Sequence, residues 1–156
     1  MSVSLLRHAV ATLAYRGSKA VRGAPLEFAS YRASETSRTP LEILAHVNDL
    51  LDWMDGFLTG VHKWQPSTPA AWSEEVARFH SALARVDGRL TNPLPPDTSL
   101  ERLFQGPVAD ALTHVGQLTL LRRMAGTPVR GENYYLAEIE AGRVSADQPQ
   151  ARREFD

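Results

Sequence analysis

Four stretches of this chain repeat apolar residues every three to four positions, and no convincing two-residue alternation appears anywhere. Only a helix gathers residues at that spacing onto one side, so the pattern commits the chain to helices rather than sheets. A length of 156 residues allows one domain with a sizeable core and is too short for two ordinary ones. Four amphipathic helices in that length bury their stripes by packing on one another, which predicts an all-α helical bundle spanning 1–156.

The first helix is expected over 3–22, with Leu6, Val10, Leu13 and Ala14 on one side and Ser2 or Ser4 as its cap. A long connector, 23–38, follows; Phe28 and Tyr31 should pin it, unless it carries function. Thr39-Pro40-Leu41-Glu42 is a strong helix start, with a capping hydroxyl, proline at the first helical position and a returning glutamate. The second helix runs from there to about Gly60, with Ile43, Val47, Leu50, Leu51 and Trp53 in its stripe. After the turn KWQPSTP, Thr68-Pro69 is expected to restart the chain as a third helix with Trp72, Val76, Phe79, Leu83 and Val86 inward. NPLPPDTS breaks it, and Ser99 opens a short turn to Gln105. Gly106-Pro107 then either kinks this segment or begins the fourth helix, GPVADALTHVGQLTLLRRMAG; in the latter case Asp110 gains from the helix dipole. The tail predicts a short helix over 132–141 capped by Asn133, then a polar, proline-containing stretch from about 143 with no core signal, expected to be poorly ordered.

Composition narrows the function. A charged fraction of 22% with a net charge of −1 argues against a nucleic-acid surface. No apolar run approaches the ~20 residues of a membrane span. Arg7, His8 and Arg16 interrupt any signal-peptide core, which leaves a cytoplasmic location as the expectation. With no cysteine, His, Asp and Glu are the metal ligands available. The sequence holds no Ser/His/Asp nucleophile pattern, no phosphate-binding glycine loop and no dinucleotide fingerprint.

The fourth helix carries the chemistry. At about 100° per residue, Asp110, His114 and Gln117 fall within roughly 60° of one another. Leu103, Pro107 and Leu121 share that sector, so a carboxylate, an imidazole and an amide are expected on an apolar, inward face. Polar groups buried there need partners. A metal ion would satisfy them, with His46 of the second helix as a further inward ligand; so would a buried Asp110–His114 hydrogen bond.

LEILAHVNDLLDW and GPVADALTHVGQLTLLRRMAG resemble the DinB/YfiT-like family. The resemblance implies an up-down-down-up four-helix bundle, often a homodimer, with a divalent metal on three ligands from helices two and four. His46 and His114 match the first and last of these, Gly116-Gln117 matches the trailing G-Q, and Asp110 stands where the family usually has histidine. Two imidazoles and a carboxylate suit Zn, Ni, Mn or Fe in the divalent state. The activity implied is that of a low-molecular-weight thiol S-transferase acting on a small molecule, with Gln117 as the catalytic residue that orients a ligand or the substrate. The alternatives are metal-dependent hydrolysis of a small substrate and a non-catalytic stress-response or dimerisation module.

Other polar residues give weaker signals. His8 reads as a surface residue, His62 as the end of helix two, and His80 as exposed or half-buried. Arg122 and Arg123 either complement the helix dipole in solvent or, with Arg130, hold an anionic co-substrate. Tyr134 and Tyr135 either close over the metal cleft or seat the tail. Trp53, Trp64 and Trp72 read as core or turn anchors, and Asp49 as a free carboxylate available for acid–base work.

Overall fold

Ser2 begins the first helix by accepting from the Leu5 N–H with its hydroxyl, at 3.1 Å. The helix, α1, covers Val3–Val21 and ends where Gly23 takes a φ of +63°, a conformation that glycine adopts without steric cost. The structure, a computed structural model, describes residues 1–155. Helix α2 covers Pro40–Leu58 and has both halves of its capping box: Thr39 Oγ1 accepts from Glu42 N–H at 3.2 Å and Glu42 Oε2 accepts from Thr39 N–H at 2.7 Å.

Helix α3 starts at Trp72 and ends at Arg89, later than Thr68-Pro69 suggests. Side-chain carboxylates hold the preceding segment out of the helix. Ser67 N–H and Oγ donate to Asp49, and Glu75 Oε1 accepts from Ala70 N–H. Glu74 reaches back to accept from Ala71 N–H, the half of a capping box that needs no hydroxyl at the cap.

The last helical run has three parts: α4 (Leu100–Leu103), capped by Ser99, a π turn over Phe104–Val108, and α5 (Ala109–Met124). Pro107 explains the π turn. It has no N–H to donate, and its ring would strike the carbonyl four residues back in an α-helix. Widening the turn makes room for it, and Ala109 N–H reaches Phe104 O, five residues earlier. The chain is therefore kinked and continuous here. Pro107 is not a first helical residue, and Asp110 does not face the free amide end that such a start would give.

Around the core, α1 touches α3 and α5, and α2 touches α3 and α5. Leu6, Val10 and Leu13 meet Val47, Leu51, Met54, Phe79, Leu83, Val115 and Leu118, all at most 3% exposed. Full burial of each such side chain stabilises the fold by about 1.5–3 kcal/mol. Along the α2–α3 seam, Arg78 binds Asp49 and Asp52, each at 2.6 Å, and Arg89 binds Asp55 at 3.2 Å. The connector is pinned by Phe28, which is 1% exposed and sits edge-on to Trp72 in a short 3-10 turn.

The tail differs from expectation. Gly131–Glu132 pairs antiparallel with Glu154–Phe155, so residue 132 lies in a strand instead of opening a helix. Only Tyr134–Leu136 is helical, as a 3-10 turn, although Asn133 does cap it by accepting from Tyr135 N–H. The polar stretch is also anchored: Val144 is 7% exposed against the core. Glu132, itself buried, accepts from Tyr15 Oη at 2.6 Å and pairs with Lys19 at 2.8 Å. Burial and this carboxylate together push the Tyr15 hydroxyl well above the usual phenol range. No helix among the described residues is long and apolar enough to cross a membrane.

Candidate metal centre

Helix α5 packs its core through Ala111, Val115, Leu118 and Leu121. Asp110, His114 and Gln117 share a face, as their spacing predicts, but it is not the core face. They lie along the flank that borders α2. Their side-chain exposure decides this: 48% for Asp110 and 13% for His114. His46 projects from the edge of α2 onto the same flank and is 23% exposed. The set lines a half-open groove between the two helices, where a polar group keeps some hydration and an ion has a way in.

The three side chains converge. One ligand atom from each of His46, Asp110 and His114 lies within 4.8 Å of the others, so the group can hold a metal ion. His46 Nε2 stands 3.8 Å from Asp110 Oδ2, and His114 Nε2 stands 3.4 Å from Asp110 Oδ1. Ligands at about 2.0–2.1 Å around a tetrahedral ion are about 3.4 Å apart. Small rotamer adjustments would bring this set to that spacing.

Protonation favours a cation as well. His114 Nδ1 lies 2.8 Å from Gln117 Oε1, an atom that only accepts, so Nδ1 carries a proton. His114 Nε2 faces a carboxylate oxygen, and in the neutral ring it is a lone pair. In that form two acceptors turned toward each other repel unless a positive charge, a proton or a metal ion, lies between them. Both imidazoles stand at ion-pair distance from Asp110, which is 48% exposed, so the Asp110–His114 pair is not buried in the core. Burial, the neighbouring His114 and Arg38 push the His46 pKa below its usual value, against the opposing pull of Asp110 and Asp49. His46 is thereby held in the neutral form that a metal needs.

Aromatic rings extend the site along α2. The His46 and His114 rings meet edge to face with centroids 4.7 Å apart. Trp64 meets His46 at 5.7 Å and Trp53 at 5.6 Å, and Trp53 stacks on Phe57 at 4.9 Å. Trp64 was invisible as a site residue, because it comes from the loop after α2 and only the fold returns it to His46. Trp72 alone of the tryptophans is a core residue.

The other candidates lie elsewhere. His8 is exposed, and His62 stands beyond the end of α2 against Phe57. His80 is half-buried between α3 and α1, bonded to Val76 O and Ser18 Oγ at 3.0 Å each. Arg122 is neither solvated nor a ligand site. It is 5% exposed and donates to the carbonyls of Ala20, Arg22 and Thr127. Arg123 is exposed, and Arg130 pairs with Glu154. Tyr134 seats the tail, edge-on to Tyr15 and under Arg16, while Tyr135 is 94% exposed. Asp49 is committed to Ser67 and Arg78 and is not a free acid–base group.

Comparison of the chain with protein-family models, with curated proteins and with solved structures finds no match in any of the three.

Proposed function

We propose that this chain is a divalent-metal-dependent enzyme, a DinB-like four-helix bundle of up-down-down-up type, that transfers a low-molecular-weight thiol to a small electrophile. The observation that carries the reading is the approach of His114 Nε2 to Asp110 Oδ1 at 3.4 Å, with His46 Nε2 3.8 Å from the carboxylate's other oxygen. That is a donor set in need of a cation, and its two imidazoles and one carboxylate suit Zn, Ni, Mn or Fe. His46, Asp110 and His114 would hold the ion. A divalent cation there would lower the pKa of an adjacent thiol, or of water, enough to give a nucleophile at neutral pH.

The chain's own groups do the rest. Gln117 fixes the His114 tautomer and ring orientation, and so acts as a positioning residue. Trp64 shields one edge of His46 and limits the water that reaches it. The exposed side of Asp110 leaves a way in from solvent for a thiol and its acceptor. The chain has no cysteine, so the thiol must come from outside.

The test has two arms. Protein purified without an affinity tag is analysed for Zn, Ni, Mn and Fe beside His46→Ala and Asp110→Ala. About one equivalent in the wild type and little in either variant is expected; a metal-free wild type across all four ions sinks the enzyme reading. The second arm supplies different thiols with a chromogenic electrophile. Turnover should require a thiol, and turnover without one points instead to hydrolysis at the same centre.

A further inference from the structure

One turn before Asp110 and two turns beyond His46 lies a cleft of about 330 Å³ that none of the three candidate ligands lines. That is within the range of small-molecule sites, about 300–1,000 Å³. One wall is the aromatic face of α2, Trp53 and Phe57. The other is the kinked run around the π turn, with Leu103, Gly106 and Pro107. Trp53 links the cleft to the metal centre, because its ring meets Trp64 and the Trp64 ring meets His46.

Two polar features of this cleft are unused by the fold. Arg102, at the rim, makes no ion pair or side-chain hydrogen bond among the described residues. Thr98 Oγ1 is buried in the wall and has no hydrogen-bond partner. A buried hydroxyl without a partner is uncommon in a folded protein and calls for an explanation. Asp97 also lines the cleft and offsets the Arg102 charge, so a second negative group on a ligand is opposed.

We infer that this cleft binds the apolar or aromatic body of a monocarboxylate, with the acid on Arg102 and Thr98 Oγ1 hydrogen-bonded to the bound molecule. Arg102 and Asp110 are eight residues apart on one helical run, which is about 12 Å. The ligand is therefore elongated, with its carboxylate at the far end and its reactive atom toward the metal centre. This rests on the reading of that centre as catalytic and assigns the class of its electrophilic substrate. The cleft is separate enough from the three metal ligands to be tested without them.

The probe is 2-naphthoate, titrated by calorimetry into chelator-treated, metal-free protein. The comparison ligands are 2-naphthalenemethanol, which lacks the charge, and naphthalene-2,6-dicarboxylate, which adds one. Saturable 1:1 binding is expected, weaker for both comparison ligands. Arg102→Gln should weaken 2-naphthoate on the order of ten-fold and leave the alcohol unchanged, as expected for loss of a charge-assisted contact. Thr98→Val should weaken the naphthoate while leaving thermal stability equal or higher, since the replaced hydroxyl has no partner in the free protein. A purely structural role for Thr98 would move stability and not binding. His46→Ala should lose metal and keep naphthoate affinity, which separates failure of the cleft from failure of the metal centre. Equal affinity in Arg102→Gln, or loss of naphthoate binding in His46→Ala, overturns the assignment.

Discussion

His114 donates its Nδ1–H to Gln117 Oε1 across 2.8 Å and thereby turns Nε2 toward Asp110. One hydrogen bond between residues three apart on α5 thus sets the tautomer of a ligand. Gln117→Leu removes the acceptor but touches no core residue. Metal affinity should fall about ten- to a hundred-fold. Thermal stability of the metal-free protein should stay within about 0.5 kcal/mol of wild type. Competition with a chromogenic chelator reads the first quantity and calorimetric melting the second. An unchanged affinity would remove Gln117 from any positioning role.

Arg122 reaches from α5 to the end of α1, donating to Ala20 O at 3.1 Å and Arg22 O at 3.2 Å, and to Thr127 O of its own C-terminal turn at 2.7 Å. Those carbonyls belong to helix ends, which have no intrahelical donors for them. Burial lowers the guanidinium pKa from its usual value, though the group stays charged at any working pH. Arg122→Met keeps much of the volume and strands the acceptors, at a cost of about 2–4 kcal/mol. Arg122→Lys should recover less than half, because an ammonium cannot fork to several carbonyls. Urea unfolding at constant m-value measures both.

Gly17 lies under the Phe79 ring so closely that an added Cβ would sit 2.4 Å from Cζ. Phe79 is fully buried and cannot swing away. Gly17→Ala should therefore destabilise by about 1–3 kcal/mol despite the better helix propensity of alanine. In the Phe79→Leu background the same change should cost much less, a coupling that a double-mutant cycle would expose. Additive effects would mean that the α1–α3 approach is looser than the structure has it.

Acid should destabilise the protein through His80. Burial pushes its pKa below the usual value near 6.5, outweighing the raising effect of the Val76 carbonyl. The unfolded chain then binds a proton that the folded chain resists, so unfolding free energy rises with pH across this window. Stability from this group is complete above about 6.5 and is lost as pH falls toward the folded value. The melting temperature of His80→Gln should fall less than that of wild type between pH 7 and pH 5. Parallel curves for the two proteins would exclude His80 as the source.

What could be read from the sequence was what neighbours in the chain decide. Ser2, Thr39 with Glu42, and Ser99 cap their helices because a side chain and an amide three residues on need nothing else. His46, Asp110 and His114 were identifiable for a similar reason, since spacing fixes which residues share a side of a helix. Spacing does not say whether that side faces core or groove, and the polar trio was placed one flank too deep. The late start of α3, the strand pair in the tail and the Arg122 clamp all depend on partners distant in sequence. Asp49 meets Ser67, Glu132 meets Lys19, and Arg122 meets Ala20. No local pattern announces such meetings.

The π turn at Phe104–Val108 also sets an angle. A wider turn advances the chain by less rotation per residue, so these five residues lag an α-helix by roughly 90°. An unbroken α-helix would leave Arg102 roughly 80° out of line with Asp110; the lag brings the two onto one azimuth. Pro107 therefore acts as a phase adjuster between two halves of a single rod. Removing one residue from the turn would leave each half helical and rotate the cleft wall away from the groove that holds His114.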